Sequence, residues 1–195
     1  MIWTCFGVGF NNFATGRMPM ADLEAGLRTP LAGIGAELLA WYGHSGNLSV
    51  RSEATGPSIG AVLEDFTGRG WAVVAFDELK SALLELDRLP RPDPEPLVRW
   101  TPGLAFHLGS SRSLGDVADT TRAVLRRLSP SIIACFKRDY LTDRGRLDSA
   151  KRLGGWGAIS ADLRRQVGES WTARSANVIR GLEQRSNTQS TNRVY

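Results

Sequence analysis

Pro90-Arg91-Pro92-Asp93-Pro94-Glu95-Pro96 alternates proline with charged side chains. Each proline removes a backbone donor and fixes φ, so the stretch favours extended, polyproline-like backbone and cannot build a core. It reads as a linker over 90–100 that divides the chain into a first subdomain, 1–89, and a second, 101–184, with a polar, disordered tail at 185–195. Working outward toward the N-terminus, the spacing predicts a strand at 2–8, a wide turn, and a helix at 20–28 that Pro30 stops. Strands at 38–42 and 47–51 flank the reversal Gly43-His44-Ser45-Gly46. A helix opens at Gly56-Pro57 with Ile59, Val62, Leu63 and Phe66 on one stripe, a strand follows at 71–75, and Asp77 caps a third helix carrying Leu79, Ala82, Leu83 and Leu86.

Toward the C-terminus the same order recurs. A strand at 104–108 leads to a helix at 114–128, whose apolar and small residues Leu114, Val117, Ala118, Thr121, Val124, Leu125 and Leu128 share a face while Arg122, Arg126 and Arg127 lie elsewhere. A strand at 131–137, a turn at Arg138-Asp139, and a strand at 140–142 come next. A helix begins at 149–153, breaks at Gly154-Gly155 and resumes at 159–167, before a strand at 171–174 and a last helix at 177–184. Each half is then strand-helix-strand-strand-helix-strand, the split βαβ pattern of a ferredoxin-like fold. The expected class is α+β: two ferredoxin-like subdomains with antiparallel sheets and helices packed on one face. A single doubly wound sheet would also alternate helices and strands, but the adjacent strand pairs near His44 and Arg138 favour antiparallel pairing.

At 195 residues and 42% hydrophobic content the chain can bury a sizeable core. No run is long and apolar enough for a membrane span, and the N-terminus lacks the features of a signal peptide, so the expected location is the cytoplasm and no membrane partner is expected. Cys5 and Cys135 each sit in an apolar strand-like run and read as buried thiols without metal-ligand neighbours. Residues 1–100 carry 8 basic and 12 acidic side chains, and residues 101–195 carry 16 and 8. The basic second half hints at an anionic partner. Of the 24 basic residues, 21 are arginine, a ratio that genomic codon bias also produces.

Gly9-Phe10-Asn11, Pro19-Met20-Ala21-Asp22-Leu23, Tyr42, Ser45-Gly46-Asn47-Leu48, the strand and helix start at 73–79, and Thr172-Ala173-Arg174 with Asn177 stand in an order and spacing that resembles the bacterial domain-of-unknown-function family 1697, over residues 2–184. The resemblance implies two ferredoxin-like subdomains and no established activity. The chain departs from the family's pattern at Val8, Phe13-Ala14, His44 and Ser175-Ala176. Three of these changes add apolar surface or remove charge, which points to a pocket lined for a less polar ligand.

His44, beside Ser45 and Asn47, is the candidate general acid or base, because imidazole titrates near neutrality. Its structural counterpart is a turn histidine bonded to local backbone. Asn11 and Asn12 can orient polar substrate atoms, Arg174 can stabilise developing negative charge, and Asn177 can help grip an anion. Phe13, Tyr42, Ser45 and Asn47 complete the expected substrate contacts. Turn and cap roles explain asparagines equally well, and His107 reads as a core histidine. The basic stretch Lys137-Arg138, Arg144, Arg146, Lys151-Arg152, with Tyr140 available to stack a base, is the alternative site, for nucleic acid; Asp139, Asp143 and Asp148 neutralise it locally. Gly7-Val8-Gly9 and Gly154-Gly155-Trp156-Gly157 lack a complete phosphate-loop or dinucleotide fingerprint. The expectation is a small-molecule-binding protein or a cofactor-independent isomerase, cyclase or lyase acting by proton transfer on a largely apolar organic substrate. No metal and no cofactor are expected, a protein scaffold is the third class, and the sequence leaves the oligomeric state open.

Overall fold

The computed structural model describes residues 1–8, 20–42, 46–108, 117–168 and 170–191. Two four-stranded antiparallel sheets and five helices account for them. The first sheet is built from β1 (Ile2–Gly7), β2 (Glu37–Tyr42), β3 (Asn47–Arg51) and β4 (Trp71–Ala75), and the second from β5 (Val98–His107), β6 (Ala123–Ser129), β7 (Ile132–Tyr140) and β8 (Trp171–Ser175). Their orders, β2-β3-β1-β4 and β6-β7-β5-β8, are the same permutation, the one that the split βαβ pattern demands.

The chain forms two compact units. In the first, α1 (Met20–Gly33) and α2 (Gly56–Thr67) bury Leu23, Leu27, Leu31, Ile59 and Leu63 against Cys5, Leu48 and Val50 of the sheet. Successive strand residues point to opposite faces. Ser49 therefore looks the other way, and there its hydroxyl lies 2.7 Å from that of Ser186 on α5 (Ala176–Thr191). In the second unit α4 (Trp156–Val167) packs Ile159 and Leu163 on Ala105, Leu125, Ile133, Cys135, Trp171 and Ala173. Several equivalent positions stand 100 apart: Ile59 and Ile159, Leu63 and Leu163, the left-handed C-cap glycines Gly68 and Gly168, and the buried strand-opening Trp71 and Trp171.

The structure corrects several expectations. The helix expected at 114–128 is, over its described part, a coil followed by strand β6. Thr120 Oγ1 accepts from the amides of Arg122 and Ala123, at 3.1 and 3.0 Å, and Asp119 Oδ1 from that of Leu125 at 2.8 Å. Such side-chain bonds compete with helical ones, and the ladder to β7 takes the rest. No turn interrupts β7 at Arg138-Asp139, because β5 pairs with it without a break from Val98↔Tyr140 to Phe106↔Ile132. Residues 149–153 are not helical; Asp148 Oδ1 caps the amide of Ala150 at 2.9 Å in a turn. Helix α1 continues past Pro30, because the turn that follows places Leu31 in the buried stripe of Leu23 and Leu27.

The division at the proline segment is also corrected. The first unit comprises Met1–Lys80, Leu108–Ser110 and Asn177–Tyr195, and the second Ser81–His107 and Ser111–Ala176. Helix α3 (Phe76–Arg88) thus begins in the first unit and ends in the second, and α5 departs from the second sheet to belong to the first. The tail expected at 185–195 is helical as far as Thr191, held by the buried Ser186. The proline segment is docked within the second unit: Arg91 stacks on Phe136 at 5.4 Å, the carbonyl of Asp93 accepts from Trp100 Nε1 at 3.2 Å, and Glu95 pairs with Arg138 at 2.8 Å. No described helix is long and apolar enough to cross a membrane.

Candidate functional site

Of the residues expected to form a site around His44, Asn11, Asn12, Phe13, His44 and Ser45 lie outside the described residues. Tyr42 and Asn47 hold the first unit together. Asn47 Nδ2 donates to the carbonyl of Tyr42 at 3.1 Å across the β2–β3 ladder. The Tyr42 ring lies so close to Gly181 of α5 that a Cβ there would sit 2.4 Å from it, and Arg185 covers the ring at 5.0 Å. The Gly7 amide at the end of β1 donates to the Gly46 carbonyl before β3 at 2.8 Å. Asn177 is exposed on the first turn of α5.

Arg174 belongs to the second unit. Its Nη1 donates to Thr172 Oγ1 at 2.7 Å and to the carbonyl of Ala173 at 2.9 Å, so the guanidinium is engaged by its own strand. Burial pushes its pKa down to about 10. His107 is buried, its ring 5.1 Å from that of Trp171, as a core histidine should be. Burial raises both thiols, Cys5 and Cys135, far above the ordinary cysteine value, which keeps them protonated and unreactive. Among the described residues no group of three His, Cys, Asp or Glu side chains is placed to hold a metal ion.

A cavity of about 350 Å³ lies wholly in the second unit, where β7 ends and the chain crosses to α4. The end of β7 supplies Lys137, Arg138, Asp139 and Tyr140; the connection supplies Leu147, Asp148, Ser149 and Arg152 to Gly155; α4 begins with Trp156. The local sequence explains this wall. Beyond Tyr140 the chain folds back on itself: Leu141 bridges to Leu147, the amide of Asp148 donates to the carbonyl of Tyr140 at 2.8 Å, and Thr142 and Arg146 close the tip. Gly154, at φ +96°, makes the bend into α4 that an L side chain rarely adopts, and a Cβ there would lie 2.8 Å from that of Ala158. The Trp156 indole rests on the bare backbone of Gly103, where a Cβ would be 2.4 Å from the ring.

Arg122 fastens the wall. Its Nε donates to the carbonyl of Leu153 at 2.7 Å, its Nη1 to both oxygens of Asp162 on α4 at 3.0 and 3.1 Å, and its carbonyl accepts from the amide of Arg138 at 2.7 Å. The Asp162 side chain is 6% exposed and also pairs with Arg165. The basic stretch noted in the sequence is thus split: Lys137, Arg138, Tyr140 and Arg152 meet in the cavity, whereas Arg144, Arg146 and Lys151 do not line it. Trp156 and Arg122 were missed as site residues. The glycines around Trp156 were the visible signal for the first; Arg122 gave none, having been assigned to a helix that does not form.

The cavity can hold the flat apolar body of a small molecule beside charged side chains. At about 350 Å³ it lies at the lower end of the roughly 300–1,000 Å³ typical of such sites. No family model and no curated protein matches the chain in sequence. A solved structure described as that of the conserved bacterial protein SP0830 from Streptococcus pneumoniae is similar to it, with a TM-score of 0.56 over 95% of this chain and 98% of that one at 17% identity. At that identity the likeness concerns the fold alone.

Proposed function

We propose that the protein binds a small organic molecule in the cavity of its second unit. The observation that carries this reading is the contrast between equivalent connections. In the first unit β3 joins α2 through residues 52–55, and Thr55 caps the helix with its own side chain. In the second, β7 joins α4 through residues 141–155, which enclose a cavity beneath a helix start whose N-cap, Gly155, has no side chain to offer. A packed core does not require this longer connection, and loops carried on a rigid scaffold are where binding residues concentrate. Helix N-termini also favour partial negative charge in what they face.

The alternative, nucleic acid bound through the basic second half, has less behind it. Lys137 pairs with Asp139 and Arg138 with Glu95, which leaves Arg152 as the one cation of the cavity lining without an ion pair among the described residues, too few for an open phosphate track. Kinship with the domain-of-unknown-function family 1697 is likewise our proposal; the paired ferredoxin-like sheets support it. The test of the binding reading is a fragment library screened against the isotope-labelled chain by amide chemical shifts. Hits should move the amides of 137–140 and 147–156 together. Hits that move only other residues, or a library without hits, would overturn the reading.

A further inference from the structure

The cations of the cavity are not equivalent, and from their pairing we infer that the ligand is a small, flat molecule bearing a single carboxylate; this rests on the cavity being the binding site. Lys137 is spent on Asp139, which also accepts from Thr101 Oγ1 at 2.7 Å. Arg138 gives Nη2 to Glu95 at 2.8 Å and lies over the Trp100 ring at 4.8 Å. Asp148 holds the amide of Ala150. Arg152, exposed at the cavity wall, has no ion pair among the described residues. One uncommitted cation therefore meets the ligand.

A single uncommitted cation suits a single carboxylate. A polyphosphate would bring its remaining charges against Asp139 and Asp148, where repulsion opposes them. The body of the ligand is set by Tyr140, Leu147, Leu153 and Trp156, whose apolar surface suits one or two rings.

The inference is tested by calorimetric titration of the full chain with 1-naphthoate, its neutral isostere 1-naphthamide, 1-naphthyl phosphate and ATP, on wild type and on Arg152→Gln, an exposed substitution that leaves the core untouched. Naphthoate should bind at least about tenfold more tightly than the amide, Arg152→Gln should erase that margin, and neither phosphate should exceed the carboxylate. Equal affinity for the amide, a margin unaffected by Arg152→Gln, preference for ATP, or no binding of any compound would each overturn the carboxylate assignment. Amide shifts for a bound compound separate the two failures. Shifts within 137–156 leave the cavity reading standing, and shifts confined elsewhere remove it too.

Discussion

Two routes from a third strand into a second helix distinguish the units of this protein. In the first unit, residues 52–55 make the passage, Ser52 and Thr55 spend their hydroxyls on nearby backbone, and Thr55 Oγ1 takes the amide of Ser58 at 3.4 Å. Nothing is left over for a ligand. In the second, residues 141–155 wander, fold back through the Leu141↔Leu147 bridge, and need Arg122 to hold them. Several features recur in both copies: the sheet order, the buried isoleucine and leucine of the helix before the last strand, the left-handed glycine after it and the tryptophan that opens the edge strand, whereas α1 has no helical counterpart among the described residues of the second unit. The difference teaches that the shared positions satisfy packing, while the extra chain in one copy makes a place for something else.

The largest effect should come from the clamp. Arg122→Ala leaves the Asp162 carboxylate, buried but for 6%, with only the more exposed Arg165, and strips the Leu153 carbonyl of its donor. Urea denaturation should show a loss of about 2–3 kcal/mol, below the full cost of breaking a buried pair because Arg122 is itself partly exposed. Arg51→Ala in the first unit, which breaks a pair with Glu37 whose side chains are 39% and 36% exposed, should cost less than about 1 kcal/mol. Equal losses would mean that the clamp is only another surface pair.

Gly154→Ala should follow at about 2 kcal/mol, from the φ of +96° and the contact with Ala158. The same substitution at Gly155, where φ is −91° and no atom lies near a Cβ, should be nearly neutral by thermal melting.

The thiols provide a case in which the units should behave alike. Burial raises the pKa of Cys5 in one and Cys135 in the other. The folded chain then keeps protons that the unfolded chain releases above about pH 8.5. Their contribution is full below that pH and is lost as pH rises toward the folded values, at up to about 1.4 kcal/mol per pH unit per thiol. Stability measured from pH 8 to 10.5 should fall, and Cys5→Ala and Cys135→Ala should each flatten the slope. A slope untouched by both would contradict the assignment.

Much of the fold was legible because it is written in short-range terms. The apolar run that opens at Ile2, the Gly56-Pro57 helix start and the stripe of Ile59 and Leu63 each follow from local pattern, and two copies of one order fix the class. The segment at Ala123–Ser129 was not legible: its apolar residues fit a helical face, and only the ladder to β7 and the bonds from Asp119 and Thr120 decide for strand. Helix α5 was placed with the wrong half because no local signal says which sheet a terminal helix will join. The cavity was not legible for the same reason. Tyr42 and Asn47 carried the sequence pattern of a ligand site but serve the hairpin and α5, whereas the cavity depends on Arg122 meeting Leu153 and Asp162, contacts between residues 31 and 40 positions apart.

The open helix start of the second unit distinguishes its cavity from the first unit's capped connection, and one pair of variants tests that distinction most directly. Gly155→Asp supplies at α4 the cap that Thr55 supplies at α2, in a backbone conformation that accepts it, and puts a carboxylate where a ligand anion would lie. Titration with 1-naphthoate should show affinity falling about tenfold or more in Gly155→Asp while thermal stability holds or rises by a few tenths of a kcal/mol, and staying within about twofold in Thr55→Gly. Unchanged affinity in Gly155→Asp, or an equal loss in Thr55→Gly, would contradict the claim that the second unit's cavity is where this protein binds.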